Sequence, residues 1–176
     1  MTINRATSPD TVADTAVTIL RSSAFTTEIG LLNTALGTTW ITEPQDRHIE
    51  IAQDDRHPPT GYPHIRISYS QPATRLQYVR AQETILWDLN LVASIREDEI
   101  KSGVEDTKSH TGSKRASRLA HAAWNTLNTR STGLWGSEGV MGLVIDKQDT
   151  VEIVSDPSIW SFQIVVKITQ RAMDVF

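Results

Sequence analysis

The chain has 176 residues, with 17 basic and 21 acidic side chains and a formal net charge of −4. This length is typical of one domain, whose core can bury roughly two-thirds of the unfolded surface. There is no cysteine, which excludes disulfides, thiol nucleophiles and cysteine-ligated metal centres. We therefore expect a single domain over residues 1–176.

The charge is unevenly distributed along the chain. Residues 1–99 contain eight arginines, no lysine and thirteen acidic residues, which leaves this part near −5 and the remainder near +1. This balance lacks the basic surface that non-specific nucleic-acid binding requires. No apolar run approaches the ~20 residues that span a bilayer, and no apolar signal segment opens the chain. We expect a soluble protein with no membrane partner.

Residues 9–36 have the apolar spacing of one broken helix or two short helices. The Ser-Pro-Asp sequence at residues 8–10 is typical of a helix start. Thr26 or Thr27 is a candidate N-cap for the second helix, and Gly37 is a candidate C-cap.

The periodicity changes to that of strands over residues 38–96. Short strands are predicted at residues 39–42, 48–51 and 64–69. In residues 85–96 an apolar side chain recurs at every second position from Ile85 to Ile95, and this twelve-residue pattern predicts a strand about 40 Å long. This is longer than a typical strand, so we expect it to cross a large sheet or to project as a hairpin arm, with residues 75–80 as its upstream partner.

The second half begins with a polar segment at residues 97–113, which we interpret as a loop. A helix is predicted at 114–129 and strands at 140–171, where residues 147–150 form a polar stretch between two strand segments. The order of elements predicts an α+β fold. Its sheet is mainly antiparallel or mixed, with helices packed on one face and one long projecting strand or hairpin.

Motifs that carry chemistry are few. The five histidines have no metal-ligand spacing, although His57 and His64 flank a proline-rich loop where a weak metal site is conceivable. Solvated loop histidines are the simpler interpretation. The glycine-rich residues 136–139 lack the lysine of a phosphate-binding loop. We expect no catalytic residue, no cofactor and no metal site.

Interaction surfaces are the alternative to catalysis. Acidic residues of the polar loop are candidates for electrostatic docking, tryptophans near glycine or threonine are typical of interfaces, and strand arginines suit salt bridges between subunits. The candidate interface residues are Glu97, Asp98, Glu99, Glu105, Asp106, Trp40, Trp135, Arg75 and Arg80.

This order of elements resembles that of the tail terminator (tail-completion, neck) proteins of long-tailed bacteriophages. The resemblance covers most of the chain, although no strict motif carries it. It rests on a helix containing Leu31-Leu32, a strand after Pro63, the long strand at 87–95, an acidic loop, a helix containing residues 122–127 and a closing strand at 162–169.

The resemblance implies a structural virion protein. Six copies would form a ring that caps the tail tube and contacts the tube protein and the neck or connector protein, with DNA passing through the lumen. The protein would lie in the virion tail or neck, and in the host cytoplasm during assembly. The alternatives are another head–tail joining or tail tube component, or a small ligand-binding α+β domain. Deleting residues 100–110 would leave the fold intact and abolish docking.

Overall fold

The computed structural model describes residues 9–35, 37, 43–52, 61–70, 74–79, 82–96, 112–129, 133–136, 139–153 and 159–173. The α-helices are α1 (Pro9–Leu20), α2 (Ser23–Ala35) and α3 (Gly112–Asn128). The strands are β1 (Ile49–Ile51), β2 (His64–Tyr69), β3 (Thr74–Val79), β4 (Gln82–Arg96), β5 (Val140–Ile153) and β6 (Ile159–Met173). Short 3-10 helices lie at Asp46–His48 and Leu134–Gly136.

The described strands form one mixed sheet in the order β1-β2-β4-β6-β5, and β3 also pairs with β4. Only the β1–β2 pairing is parallel within this described sheet. β2 pairs with residues 89–94 of β4, while β3 pairs with residues 82–86 of the same strand. The three helices lie on one side of the sheet. The predicted α+β fold is confirmed.

The long strand is an interior strand of the sheet. β4 has 15 residues and pairs with β6 along its whole length, from Gln82 opposite Met173 to Arg96 opposite Ile159. The predicted upstream partner is confirmed as β3, but the predicted projecting arm is not seen. A second strand of equal length satisfies the backbone groups that an arm would leave unpaired.

The core lies between the helices and one face of the sheet. Alternate side chains of β4 and β6 point into it, because successive strand residues face opposite sides. These core residues are Trp87, Leu89, Leu91, Ala93 and Ile95 on β4, and Phe162, Ile164, Val166 and Ile168 on β6. α3 adds Leu119 and Leu127 with small alanines between them, which let the helix approach the sheet closely. Each fully buried large apolar side chain stabilises the fold by about 1.5–3 kcal/mol.

The helical region consists of two helices with an unexpected cap. The Ala24 N–H donates to Ser22 Oγ at 3.3 Å, so Ser22 caps α2. The predicted cap at Thr26 or Thr27 is wrong, because both lie within α2 and the Thr27 hydroxyl donates to the Ser23 carbonyl. Gly37 follows α2 with φ 63°, the left-handed conformation expected of a glycine after a helix.

Several boundaries in the sheet differ from the predictions. β5 is continuous through residues 147–150, which the sequence placed between two strands. These residues are exposed, and an edge strand tolerates polar side chains because solvent covers its free side. α3 begins at Gly112 rather than 114, and β6 runs to Met173 rather than 171. The predicted strand at 39–42 and residues 97–111 of the predicted loop lie outside the described residues.

Candidate functional site

The sheet face opposite the helices is the main candidate surface among the described residues, and we call it the uncovered face. It is formed by Glu50, His64, Arg66, Ser68, Asp88, Asn90, Val92, Ser94, Arg96, Val144, Ser161, Gln163, Val165, Lys167 and Thr169, as the strand registers place them. No described helix packs on it. Most of these side chains are partly exposed, so the face can meet a partner.

An ionic row crosses the uncovered face. Lys167 Nζ lies 2.9 Å from Asp146 Oδ2, and Lys167 is opposite Asp88 in the β4–β6 register. The register of β5 shifts between Ile145 and Lys147, which places Asp146 at an irregularity of the edge strand. The hydrogen bond lowers the pKa of Asp146 below 3.8 and raises the pKa of Lys167 above 10.5. Both side chains are charged at neutral pH.

A second charged cluster lies where β1 meets β2. His64 Nε2 donates to Glu50 Oε1 at 3.0 Å, and Arg66 Nη2 lies 3.7 Å from the same oxygen. His64 is 1% exposed, and this burial lowers the pKa of its ring below 6.5 more than the hydrogen bond to Glu50 raises it. His48 belongs to the same cluster, because its charge would lower the pKa of His64 further.

Neutral polar side chains on the uncovered face pair with each other between strands. The Ser94 and Ser161 hydroxyl oxygens lie 2.8 Å apart, and Gln163 Nε2 donates to Asn90 Oδ1 at 3.4 Å. Such cross-strand pairs stabilise the sheet and occupy the polar atoms that would otherwise bind a small ligand.

Two described hydroxyls donate to carboxylates, Thr26 to Glu43 and Tyr69 to Asp10. A serine and a histidine meet on α3, where Ser117 Oγ lies 3.4 Å from His121 Nδ1. That nitrogen also lies 2.7 Å from the Ser117 carbonyl oxygen, to which it must donate its proton. It therefore cannot accept the serine proton. Within the same described ranges no three His, Asp or Glu side chains are placed to hold a metal ion.

The structure places only some of the predicted interface residues. Trp135 is 37% exposed in the second 3-10 helix, and its indole N–H donates to Asn128 Oδ1 at 3.1 Å. Arg75 lies in β3. The other candidates lie outside the described residues: Trp40, Arg80, Glu97, Asp98, Glu99, Glu105 and Asp106. His57 also lies outside, and the interpretation of His64 as a solvated histidine is wrong, because it is buried.

The two charged clusters were missed in the sequence. The alternation of side chains along the strands places Glu50, Arg66 and Lys167 on polar strand faces, and it therefore predicts that these side chains face solvent. It does not reveal which strands are neighbours, so neither the His64–Glu50 pair nor the Lys167–Asp146 pair follows from it.

No family model matches the sequence, and no curated protein matches it either. Among the described residues, no helix combines the length and the apolar character needed to cross a membrane.

Proposed function

We propose that this chain is a structural subunit of a long-tailed bacteriophage, which assembles into a ring that caps the tail tube and joins it to the neck. The observation that supports this most directly is the uncovered face. It is built on strands of 14 and 15 residues, each about 45–50 Å long. A long, polar face without a helical layer suits packing against another copy of the chain.

The chemistry of the described residues favours a structural role. Charges of opposite sign lie side by side on the uncovered face, as in the Lys167–Asp146 pair. Electrostatic complementarity of this kind sets orientation and register between proteins rather than strong affinity. The order of helices and strands, which resembles that of tail terminator proteins, links this structural role to a long-tailed bacteriophage.

The charge of the chain suits a channel through which DNA slides. With a net charge of −4, the protein lacks the excess of lysine and arginine that would hold phosphates. In this proposal DNA is in transit only, and the lasting partners are other copies, the tube protein and the neck protein. The acidic residues of segment 97–106 remain the candidate contacts to the tube or neck.

Light scattering on a size-exclusion peak, with negative-stain images of the same peak, tests the proposal. We expect a closed ring, either in solution or on added tail tubes. Six copies of 19.6 kDa correspond to about 118 kDa. A strict monomer at high concentration that also ignores tail tubes contradicts the proposal, and thermal shift with ligands would then test the ligand-binding alternative.

A matched pair of variants tests whether copies of the chain contact each other through the uncovered face. Val144 on the uncovered face is 64% exposed, and Leu31 on α2 is 61% exposed. Since both are surface positions, neither Val144→Glu nor Leu31→Glu should unfold the protein. We expect V144E to weaken ring formation and L31E to leave it unchanged. Equal effects of the two substitutions would contradict a contact through the uncovered face.

Deletion of residues 100–110 separates assembly from docking. We expect the shortened protein to form rings that no longer bind tube ends or neck protein. Docking that survives the deletion would remove this segment from the proposal. If rings of the protein without the deletion bind neither tail tubes nor neck protein, the alternative that the chain is another head–tail joining or tail tube component would be favoured.

A further inference from the structure

His48 is a buried polar side chain without a described partner. It ends the first 3-10 helix and is 5% exposed, and neither ring nitrogen has a hydrogen-bond partner among the described residues. A Cβ added to Gly61 would lie 2.4 Å from His48 Nε2, so the missing side chain of Gly61 makes room for the ring. A neutral imidazole tolerates this site, but a charged ring would lack the pairing that a buried charge needs.

His64 lies within the electrostatic range of His48, and its described acidic partner is Glu50. Its Nε2 donates to Glu50 Oε1 at 3.0 Å, and Arg66 Nη2 approaches the same carboxylate at 3.7 Å. Glu50 is therefore shared between an arginine and a histidine. A proton added to His64 brings a second positive charge to a site that already holds Arg66.

The strand that carries Glu50 is short and lies at the edge of the described sheet. β1 has three residues, which pair with β2 from Ile49 opposite Ile65 to Ile51 opposite Ile67. Arg21 Nε and Nη2 donate to the Ile49 carbonyl at 3.1 and 2.5 Å, and the Ala52 N–H donates to the Ile67 carbonyl at 2.7 Å. Short edge elements of this kind are the first to open locally, because few interactions must break together.

We propose that His64 and its partner Glu50 form an acid-sensitive latch, which holds β1 on β2 while the His64 ring is neutral and releases it once that ring is protonated. Release would free the edge of β2 for a new partner. The inference is independent of the proposed function, since it concerns the stability of one strand in whatever assembly the chain forms.

The charged groups around the latch determine the direction of the pH effect. Arg66 and the second histidine oppose protonation of His64, while Glu50 favours it. Asp46 and Arg47 flank His48 in the 3-10 helix, and both are exposed. Because burial dominates, the pKa of His64 lies below 6.5 in the folded protein. Its contribution to stability is fully present above about pH 6.5 and is lost as the pH falls through the folded-state pKa.

Hydrogen–deuterium exchange of the full chain at pH 7.5 and pH 5.0, corrected for intrinsic exchange rates, tests the latch. We expect amide protection at residues 49–52 to fall severalfold at pH 5.0, because protonation of His64 favours the open state in which its ring is solvated. Protection at residues 89–94 of β4 and 162–168 of β6 should remain. Equal protection of residues 49–52 at both pH values would overturn the proposal.

Two variants test whether His64 causes the acid response of residues 49–52. His64→Gln keeps an amide donor for Glu50 but cannot be protonated, and His48→Phe removes the second ring that repels a proton. We expect H64Q to abolish the acid response and H48F to reduce it. His121→Gln, on α3, is the matched control and should keep the full response. An unchanged acid response in H64Q contradicts the proposal. If H64Q does not fold, NMR titration of the wild-type protein gives the pKa of His64 instead, and a pKa at or above 6.5 contradicts the proposal.

Discussion

At the scale of single residues, Gln170 supports the apolar face of the sheet. It is fully buried, and its Oε1 accepts the Trp87 indole N–H at 3.0 Å. We expect Gln170→Met to lower the free energy of unfolding by about 1 kcal/mol, because the loss of the Trp87 partner is partly offset by removal of Gln170 Nε2, a buried donor with no partner among the described residues. Urea denaturation measures this loss. Gln148→Met on exposed β5 is the control, expected within about 0.5 kcal/mol of wild type, and equal losses would contradict the role of the buried bond.

The ion pair between Asp146 and Lys167 gives a second prediction at this scale. We expect NMR titration to place the pKa of Asp146 below 3.8 and the Lys167→Met variant to return it toward that value. The pair contributes to stability above about pH 3.8, and this contribution is lost as the pH falls through the folded-state pKa. Lys147→Met should have a smaller effect, since Lys147 only adds a weaker charge interaction. An unchanged pKa in K167M would show that the pair is absent in solution.

At the scale of elements, α2 carries a replaceable glycine. Gly30 is exposed inside the helix, and a Cβ added there would meet nothing within 4 Å. We expect Gly30→Ala to raise the free energy of unfolding by about 0.5–1 kcal/mol, because alanine loses less backbone entropy in a helix. Thermal or urea unfolding measures the gain. A loss of stability would contradict the placement of Gly30 on the outer side of α2.

The connection after α3 contains a glycine whose replacement is expected to destabilise the fold. A Cβ added to Gly133 would lie 1.6 Å from the Leu127 carbonyl oxygen, and the Gly133 N–H donates to the Thr129 carbonyl. We expect Gly133→Ala to lower the free energy of unfolding by about 1–3 kcal/mol, because the backbone must shift to relieve the overlap. Gly136→Ala, with nothing within 4 Å, is the matched control. Comparable urea midpoints for the two variants would contradict the close approach.

At the scale of the whole molecule, charge determines the behaviour toward DNA. With a net charge of −4, we expect the protein to pass through a double-stranded DNA column at physiological salt. A basic control protein should be retained and should elute as salt rises, since phosphate contacts depend steeply on salt concentration. Salt-dependent retention of this chain would contradict passive transit of DNA and would favour a nucleic-acid-binding role.

The order of elements could be predicted because the periodicity of side chains is local. The alternation through Trp87, Leu89 and Leu91 specifies a strand and its buried face wherever the strand lies in the sheet. The cap at Ser22 and the continuity of β5 were not predicted. Several threonines were candidates for the N-cap of α2, so the sequence did not single out Ser22. The polar residues 147–150 have the composition of a turn, and only their position on an edge strand explains why they belong to β5.

The sequence by itself determined the α+β class, the absence of cysteine chemistry, the acidic balance and the apolar faces of the helices and strands. Only the tertiary structure decided which strands are neighbours. It joins Trp87 to Gln170, 83 residues apart, and His64 to Glu50, 14 residues apart. The physical reason is that residue type and spacing encode local conformation, whereas strand order and register arise from long-range packing. The interior position of β4 and the buried His64–Glu50 pair both follow from that packing.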